Sequence, residues 1–426
     1  MESRSIRRSL QLGSILSDYF VFNTRVLSCL GLGLILFVSQ SRVAVAIDKT
    51  KTTESVDPKQ VLPEADQMGF KERLEAAVAD DSVKAFNDSI DWNAILDKSI
   101  DGVKSTALDN IRKDFKKGFL SNLNADASFA AQIIRTVKLG GTYKFLRLDE
   151  IDGEPIAIFR LKHANQGGVN YFQFFLKRSA DGLVRANDFY VFASAERISD
   201  TIRRIWLPLV AESTKNLVQR FTQAPDPLIG SILKITEMQK LVRDGQPDKA
   251  LELFRSLPEK AQHEKVFLLL RLGAAQAVSD EEHSEAIEDF RKYHPNDAAL
   301  DFLLIDGYVL KKKLEQALEC IDRTNKSVGG DSCLLAMRGS VLAQLKRFDE
   351  AKTVMEKVIK LEPDLRDNYF VAIEVSLVAK NYEDTVKYIN ATESVFNVKF
   401  GNLTEIPVYA DFVKSPEYEK WVESRN

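Results

Sequence analysis

Phe348-Asp-Glu-Ala351-Lys-Thr-Val-Met355 places a small residue, Ala351, four positions before a large apolar one, Met355. The same arrangement recurs in four other segments of the second half of the chain. These are Asp248–Phe254, Ser284–Phe290, Leu314–Ile321 and Tyr382–Ile389. Residues four apart lie one turn apart on the same face of an α-helix. Each segment therefore predicts a helix that crosses a neighbour closely at its small residue and fills the next gap with its apolar one.

The small residues recur at a nearly constant interval. They are Ala250, Ala286, Ala317, Ala351 and Thr385, with separations of 36, 31, 34 and 34 residues. An interval of about 34 is typical of a repeated helical hairpin. Aromatic, small and helix-ending positions recur in the same register, at Phe348, Tyr382, Tyr308, Gly339, Pro295 and Pro363.

On these residues the chain from about 229 to 426 resembles the tetratricopeptide repeat family. The resemblance implies an α-solenoid of about five hairpins over 229–395, followed by capping helices over 396–426. Thr385 stands where the family usually has alanine, and the second and third units differ in length.

The family's first helices line a concave groove that binds an extended or helical peptide. The resemblance therefore implies a protein or peptide partner, and the alternative at each position is a solvated helix face. The corresponding residues here are Gln239, Arg243, Arg271, Phe302, Asp306, Ser340, Gln344, Asp367, Phe370 and Glu374. Ile235 and Gln239 stand where chaperone-binding members carry a carboxylate clamp, so that clamp is absent.

Residues 64–224 predict an α+β domain. Short helices are expected up to Val137, after which Gly140-Gly141 ends the helical pattern and apolar residues alternate. Four strands joined by short glycine-containing turns predict an antiparallel meander on which the helices pack. We expect a long helix over Ile198–Phe221, broken or kinked at Pro208. The order of elements loosely resembles cystatin-like and nuclear-transport-factor-like folds, without a shared motif.

The alternation also predicts two different sheet faces. Phe159, Leu161, Phe172, Phe174, Phe189 and Val191 are expected to pack on the helices. The other face carries Arg160, Gln173, Asp188 and Tyr190, which are candidate residues for binding a small ligand. The favoured alternative is that this face is the solvent-exposed side of the sheet.

The N-terminal residues have the pattern of an export signal. Basic residues precede an apolar run from Val26 to Val38, and Ala44-Val-Ala46 follows. We interpret 1–46 as a signal peptide and the polar segment 47–63 as a flexible linker. The alternative is an uncleaved anchor, which would be the chain's single membrane contact. The chain is then periplasmic or extracellular, or anchored and facing outward. Cys320 and Cys333 could form a disulfide or remain buried thiols.

Composition and motifs argue against several functions. Lys+Arg 59 against Asp+Glu 62 leaves a net charge of −3, which gives no basic surface for nucleic acid. The four histidines and three cysteines form no metal-binding motif, and we find no phosphate loop or nucleophile motif. We therefore expect no cofactor, no metal and no enzymatic activity, and interpret the chain as an exported protein-interaction module. The alternatives are a small-ligand or minor enzymatic α+β domain with the repeats as a docking arm, and a membrane-anchored envelope assembly scaffold.

Overall fold

The computed structural model describes residues 62–101, 109–126, 128–164, 168–213 and 227–425. The predicted signal over 1–46, almost all of the linker and the turn at 165–167 lie outside these residues. The described chain forms two compact units, one up to Leu303 and the other from Leu304 onward. The domain boundaries inferred from sequence stay a prediction.

Five helices precede the sheet within the described ranges. They are α1 (Glu64–Ala79), α2 (Val83–Asp88), α3 (Trp92–Ile100), α4 (Asp109–Ser121) and α5 (Phe129–Lys138). Ser82, Asp91 and Ser128 cap α2, α3 and α5 by accepting a hydrogen bond from the backbone N–H three residues later. The sequence pattern did not predict α2, whose six residues are too few to show a helical period.

The sheet is an antiparallel meander in the order β1-β2-β3-β4-β5. Its strands are β1 (Thr142–Ile151), β2 (Glu154–Lys162), β3 (Val169–Arg178), β4 (Val184–Val191) and β5 (Glu196–Arg197). The predicted four strands are present, and the two-residue β5 is an addition that is too short for alternation to indicate. Predicted strand four ends early, because Phe192–Ser194 turns into a 3-10 helix.

The predicted apolar face of the sheet is confirmed. One buried core contains all six residues of this face, together with residues of α1 to α5 and of the helix that follows the sheet. The six are Phe159, Leu161, Phe172, Phe174, Phe189 and Val191. Phe129 of α5 shows the packing, since its ring lies 4.7 Å from Phe189 and 5.5 Å from Phe172. Helix α6 (Ile198–Ser213) follows the sheet and continues through Pro208, so the predicted break there is wrong. Residues 214–226, which include the rest of the predicted helix, lie outside the described residues.

The predicted helical hairpins follow. They are α7 (Pro227–Arg243) with α8 (Pro247–Arg255), α10 (Lys265–Val278) with α11 (Asp280–Tyr293), α12 (Leu300–Leu310) with α13 (Leu314–Ser327), α14 (Ser332–Gln344) with α15 (Phe348–Leu361), and α16 (Arg366–Val378) with α17 (Tyr382–Phe396). A short helix α9 (Glu259–Gln262) separates the first two hairpins, and α18 (Pro416–Glu423) follows the last.

The residues that predicted the hairpins lie at the helix crossings. All five small residues are fully buried, and their apolar partners are also buried; these are Phe254, Phe290, Ile321, Met355 and Ile389. Gly339 shows how close the approach is, because a Cβ there would lie 2.6 Å from Met355 Sδ. At the last crossing the hydroxyl of Thr385 lies 2.8 Å from that of Ser376, so a buried polar group is paired where the other hairpins have alanine.

Candidate functional site

The polar face of the sheet is buried. Arg160 and Asp188 are at most 1% exposed, and Gln173 and Tyr190 are also buried. The favoured expectation of a solvent-exposed face is therefore wrong. Burial of this face places polar groups out of water, which is favourable only when they find partners inside the protein.

Tyr190 finds its partner in the helical hairpins. Its hydroxyl donates to Asp297 Oδ1 at 2.5 Å, and Lys265 Nζ donates to Asp297 Oδ2 at 2.5 Å. Lys265 Nζ also lies 5.6 Å from the centre of the Tyr190 ring. Burial and the neighbouring Asp297 carboxylate raise the pKa of Tyr190, so the hydroxyl remains a donor at neutral pH.

Phe302, a predicted groove residue, packs on the same face. Its ring lies 5.7 Å from Tyr171 and 6.1 Å from Phe192, both in edge-to-face geometry. The α+β half thus covers the first helix of the third hairpin at this residue. Sequence alternation could not reveal this, because it distinguishes the two faces of a sheet but not whether a later element covers the polar one.

Asp188 is used within the α+β half. Its carboxylate accepts from the Ser199 hydroxyl at 2.7 Å and the Ser199 backbone N–H at 3.3 Å, at the N-terminus of α6. Burial raises the pKa of Asp188, while Ser199 and Lys98, whose Nζ lies 3.9 Å away, act against that shift. The four candidate ligand residues are therefore buried, and their role in ligand binding stays a prediction.

The predicted groove residues divide by accessibility. Asp306, Ser340 and Glu374 are buried like Phe302, and the Arg271 guanidinium pairs with Asp289 on the second helix of its own hairpin. Phe370 is half-buried beside Phe400, with the ring centres 6.1 Å apart. Gln239, Gln344 and Asp367 are partly exposed and Arg243 is exposed. Four of the ten predicted groove residues are therefore buried, and the binding role of all ten stays a prediction.

A cleft of about 180 Å³ lies at the junction of the last two hairpins. It is lined by Phe348, Lys352 and Met355 of α15, by residues of α16, and by Asp384 and Tyr388 of α17. Lys352 Nζ and Asp384 Oδ2 form an ion pair of 2.7 Å, and Asn381 Nδ2 donates to the same oxygen at 2.7 Å. The hydrogen bond to Asp384 raises the pKa of Lys352. The cleft was not among the sites predicted from sequence.

Cys320 and Cys333 are buried thiols in α13 and α14. Within the described ranges, no three or more His, Cys, Asp or Glu side chains are grouped so that they could hold a metal ion. None of the described helices is both long enough and apolar enough to cross a membrane.

Residues 334–365 match the tetratricopeptide repeat family, so α14 and α15 supply a tetratricopeptide repeat. No curated protein matches the chain. Among solved structures, the crystal structure of PilW, a widely conserved type IV pilus biogenesis factor, is similar at 12% identity and a TM-score of 0.32. The similarity covers 45% of this chain and 98% of that one. At that TM-score it carries no argument about this chain.

Proposed function

We propose that the chain is a non-enzymatic, exported scaffold that binds a protein partner through its tetratricopeptide hairpins. The observation that carries the proposal is the crossing pattern. Five fully buried small residues stack hairpins in register, and one hairpin matches the repeat family directly. Such arrays present an extended surface to other polypeptides.

Polar side chains on this face of the sheet form hydrogen bonds within the protein, which favours a scaffold function over small-ligand binding. The Tyr190 hydroxyl already donates to Asp297, and the Asp188 carboxylate already accepts from Ser199. We assign partner binding to the hairpins from Leu304 onward, where Gln344 and Phe370 are accessible members of the predicted groove.

Site-specific photocrosslinking in cells tests this assignment. A photoreactive amino acid at Gln344 or Phe370 should give discrete crosslinked species, because these side chains would face the partner. Leu139, which is 68% exposed in the α+β half, is the matched control. Crosslinks from Leu139 but from neither hairpin position would refute the assignment.

Export rests on the sequence pattern of residues 1–46 and is tested separately. The mature chain should begin at Ile47, which intact-mass measurement of the protein from an extracytoplasmic fraction would detect. A full-length mass in a membrane fraction would instead support the anchored alternative.

A further inference from the structure

The two edges of the sheet differ in how they are covered. β5 pairs with Tyr190 and Val191 of β4. Ala186, earlier in β4, accepts from the Asp91 backbone N–H at 2.8 Å and donates to Ser89 O at 3.1 Å. At the other edge, none of the described strands pairs with the outer side of β1. An open sheet edge offers backbone N–H and C=O groups to another strand.

The C-terminal half of β1 is the exposed part of this edge. A two-residue turn joins β1 to β2, so the residues that flank it, Ile151 and Glu154, form a hydrogen-bonded pair. Hydrogen-bonded and non-hydrogen-bonded pairs alternate along the ladder, so Leu148 and Glu150 direct their backbone groups away from β2. Asp149 and Glu150 are exposed, so a strand from solvent can reach the backbone here.

A β-bulge limits how another strand could pair with this edge. Leu146 has no partner on β2, and the register shifts at this residue. A bulge breaks the regular spacing of the backbone groups, so pairing cannot extend past Leu146. Two copies of β1 that are related by a two-fold axis pair antiparallel. Only a pairing centred on Asp149 then uses both Leu148 and Glu150, with Leu148 of each copy opposite Glu150 of the other.

Asp149 obstructs that pairing in two ways. Its Oδ1 accepts from the Glu150 backbone N–H at 2.9 Å, so a donor that the second strand needs is already bound. Arg147 contacts Oδ2 of the same carboxylate and holds it in this position. In the pairing centred on Asp149, the two Asp149 side chains would also lie directly opposite each other, with their Cβ atoms about 5 Å apart, where like charges are destabilising.

We propose that Asp149 prevents β1 from pairing with a second copy of this chain, and that the Leu146 bulge confines such pairing to the register that Asp149 obstructs. The inference goes beyond the proposed scaffold function, because it concerns the α+β half and not the hairpins. Its consequence is that the open edge of the sheet does not join two copies of the chain into one continuous sheet.

Sedimentation velocity of the full-length protein and three variants tests this proposal. Asp149→Val removes both the acceptor and the charge, so its sedimenting species should shift toward twice the native mass as the concentration rises to about 100 µM, which populates weak protein contacts. Asp149→Asn keeps the acceptor and removes the charge, so it should associate less than Asp149→Val. Glu150→Val is the matched control, because it adds the same apolar side chain one residue away and leaves Asp149 in place. It should sediment like the native protein.

Hydrogen exchange then locates the contact. In Asp149→Val the amides of β1 should exchange more slowly at high protein concentration than at low concentration, while those of β4, at the covered edge, should not change. Association without this protection would place the contact elsewhere and overturn the proposal. Native sedimentation of Asp149→Val, or equal association of Glu150→Val, would also overturn it.

Removal of Leu146 from Asp149→Val tests the role of the bulge. Phe145 and Arg147 pair with successive residues of β2, so the strand keeps its alternation of faces without Leu146. The regular strand should pair over more residues and lower the dissociation constant about tenfold, the effect of one or two hydrogen bonds. An unchanged dissociation constant would show that the bulge does not confine the pairing. The Asp149 series decides the central claim whether or not this variant folds.

Discussion

Two successive hairpin junctions share a backbone design but differ in how they are filled. In the α12–α13 and α14–α15 hairpins, Leu318 and Leu342 are buried. The residues one repeat later are Lys352 and Ser376, and there the junction opens into a cleft. The crossing residues and their apolar partners are buried at both junctions. The crossing residues therefore preserve the stacking of hairpins, while the neighbouring positions are free to become a site.

The largest change in the free energy of unfolding should come from replacing Leu342 with serine, the residue at the equivalent position of the open junction. Leu342→Ser removes a fully buried leucine and adds a hydroxyl at the position equivalent to Ser376, while the residue equivalent to Thr385 is Ala351, which has no hydroxyl to pair with it. We expect a loss of about 4 kcal/mol in the free energy of unfolding, from cavity and polar burial together. Urea unfolding followed by circular dichroism measures it.

Leu361→Ser is the control for that experiment. Leu361 is 52% exposed at the end of α15, so its substitution should change stability by no more than about 0.5 kcal/mol. Similar losses in both variants would mean that the filled junction is not the tighter of the two.

Acid should distinguish the hairpins before Leu304 from those after it. All four histidines precede Leu304, and His283 of α11 is buried with its pKa lowered to about 4 by desolvation, although Asp280 acts in the opposite direction. Its unfolded pKa is about 6.5, so below that pH the unfolded chain binds the proton first and stability falls. The stability lost between pH 7 and pH 4 should be roughly 3 kcal/mol.

Hydrogen exchange at these two pH values, corrected for the intrinsic rate, locates that loss. Amides of α10 and α11 should lose protection while those of α14 and α15 change less. In His283→Gln the acid loss in α11 should largely disappear. If it persists in full, the buried imidazole is not its cause.

The open junction should gain stability when it is filled. Ala379→Leu restores a side chain that the preceding repeat carries at Leu345, and we expect a gain of about 1 kcal/mol. Ser376→Leu should gain less by itself, because it removes the hydroxyl that pairs with Thr385 at 2.8 Å. Adding Thr385→Ala should recover that difference. A net loss in Ala379→Leu would show that the cleft cannot accept an aliphatic side chain without strain.

The periodicity of the sequence predicted the hairpins, because the environment of each crossing residue repeats from one hairpin to the next. Ala317, Ala351 and Thr385 occupy the same place in successive hairpins, so their spacing alone located the crossings. The burial of Tyr190 was not predictable in this way, because its partner Asp297 is more than a hundred residues away, in the loop between α11 and α12. The cleft could have been found by aligning the last two hairpins, where Leu342 becomes Ser376 and Leu345 becomes Ala379. That the Tyr388 hydroxyl is buried without a hydrogen-bond partner among the described residues could be seen only in the structure.

A comparably small change in stability concerns a feature that the two hairpins share, the turn between their helices. Lys346 and Lys380 have φ of 61° and 53°, a left-handed conformation that glycine adopts without steric cost, as Gly245 does at 72° in the first hairpin. Each turn carries the same pair of closing hydrogen bonds, for example Arg347 N to Leu342 O at 2.9 Å and Lys346 N to Ala343 O at 3.0 Å.

Lys346→Gly should therefore stabilise the protein by about 1 kcal/mol in urea unfolding. Lys380→Gly should gain less, because it also removes the exposed ion pair of Lys380 with Asp411 at 3.0 Å. Gly245→Ala should lose about as much as Lys346→Gly gains, since no atom lies within 4 Å of the added Cβ and only the backbone conformation is affected. A gain from Lys380→Gly larger than that from Lys346→Gly would mean that the two turns are not equivalent.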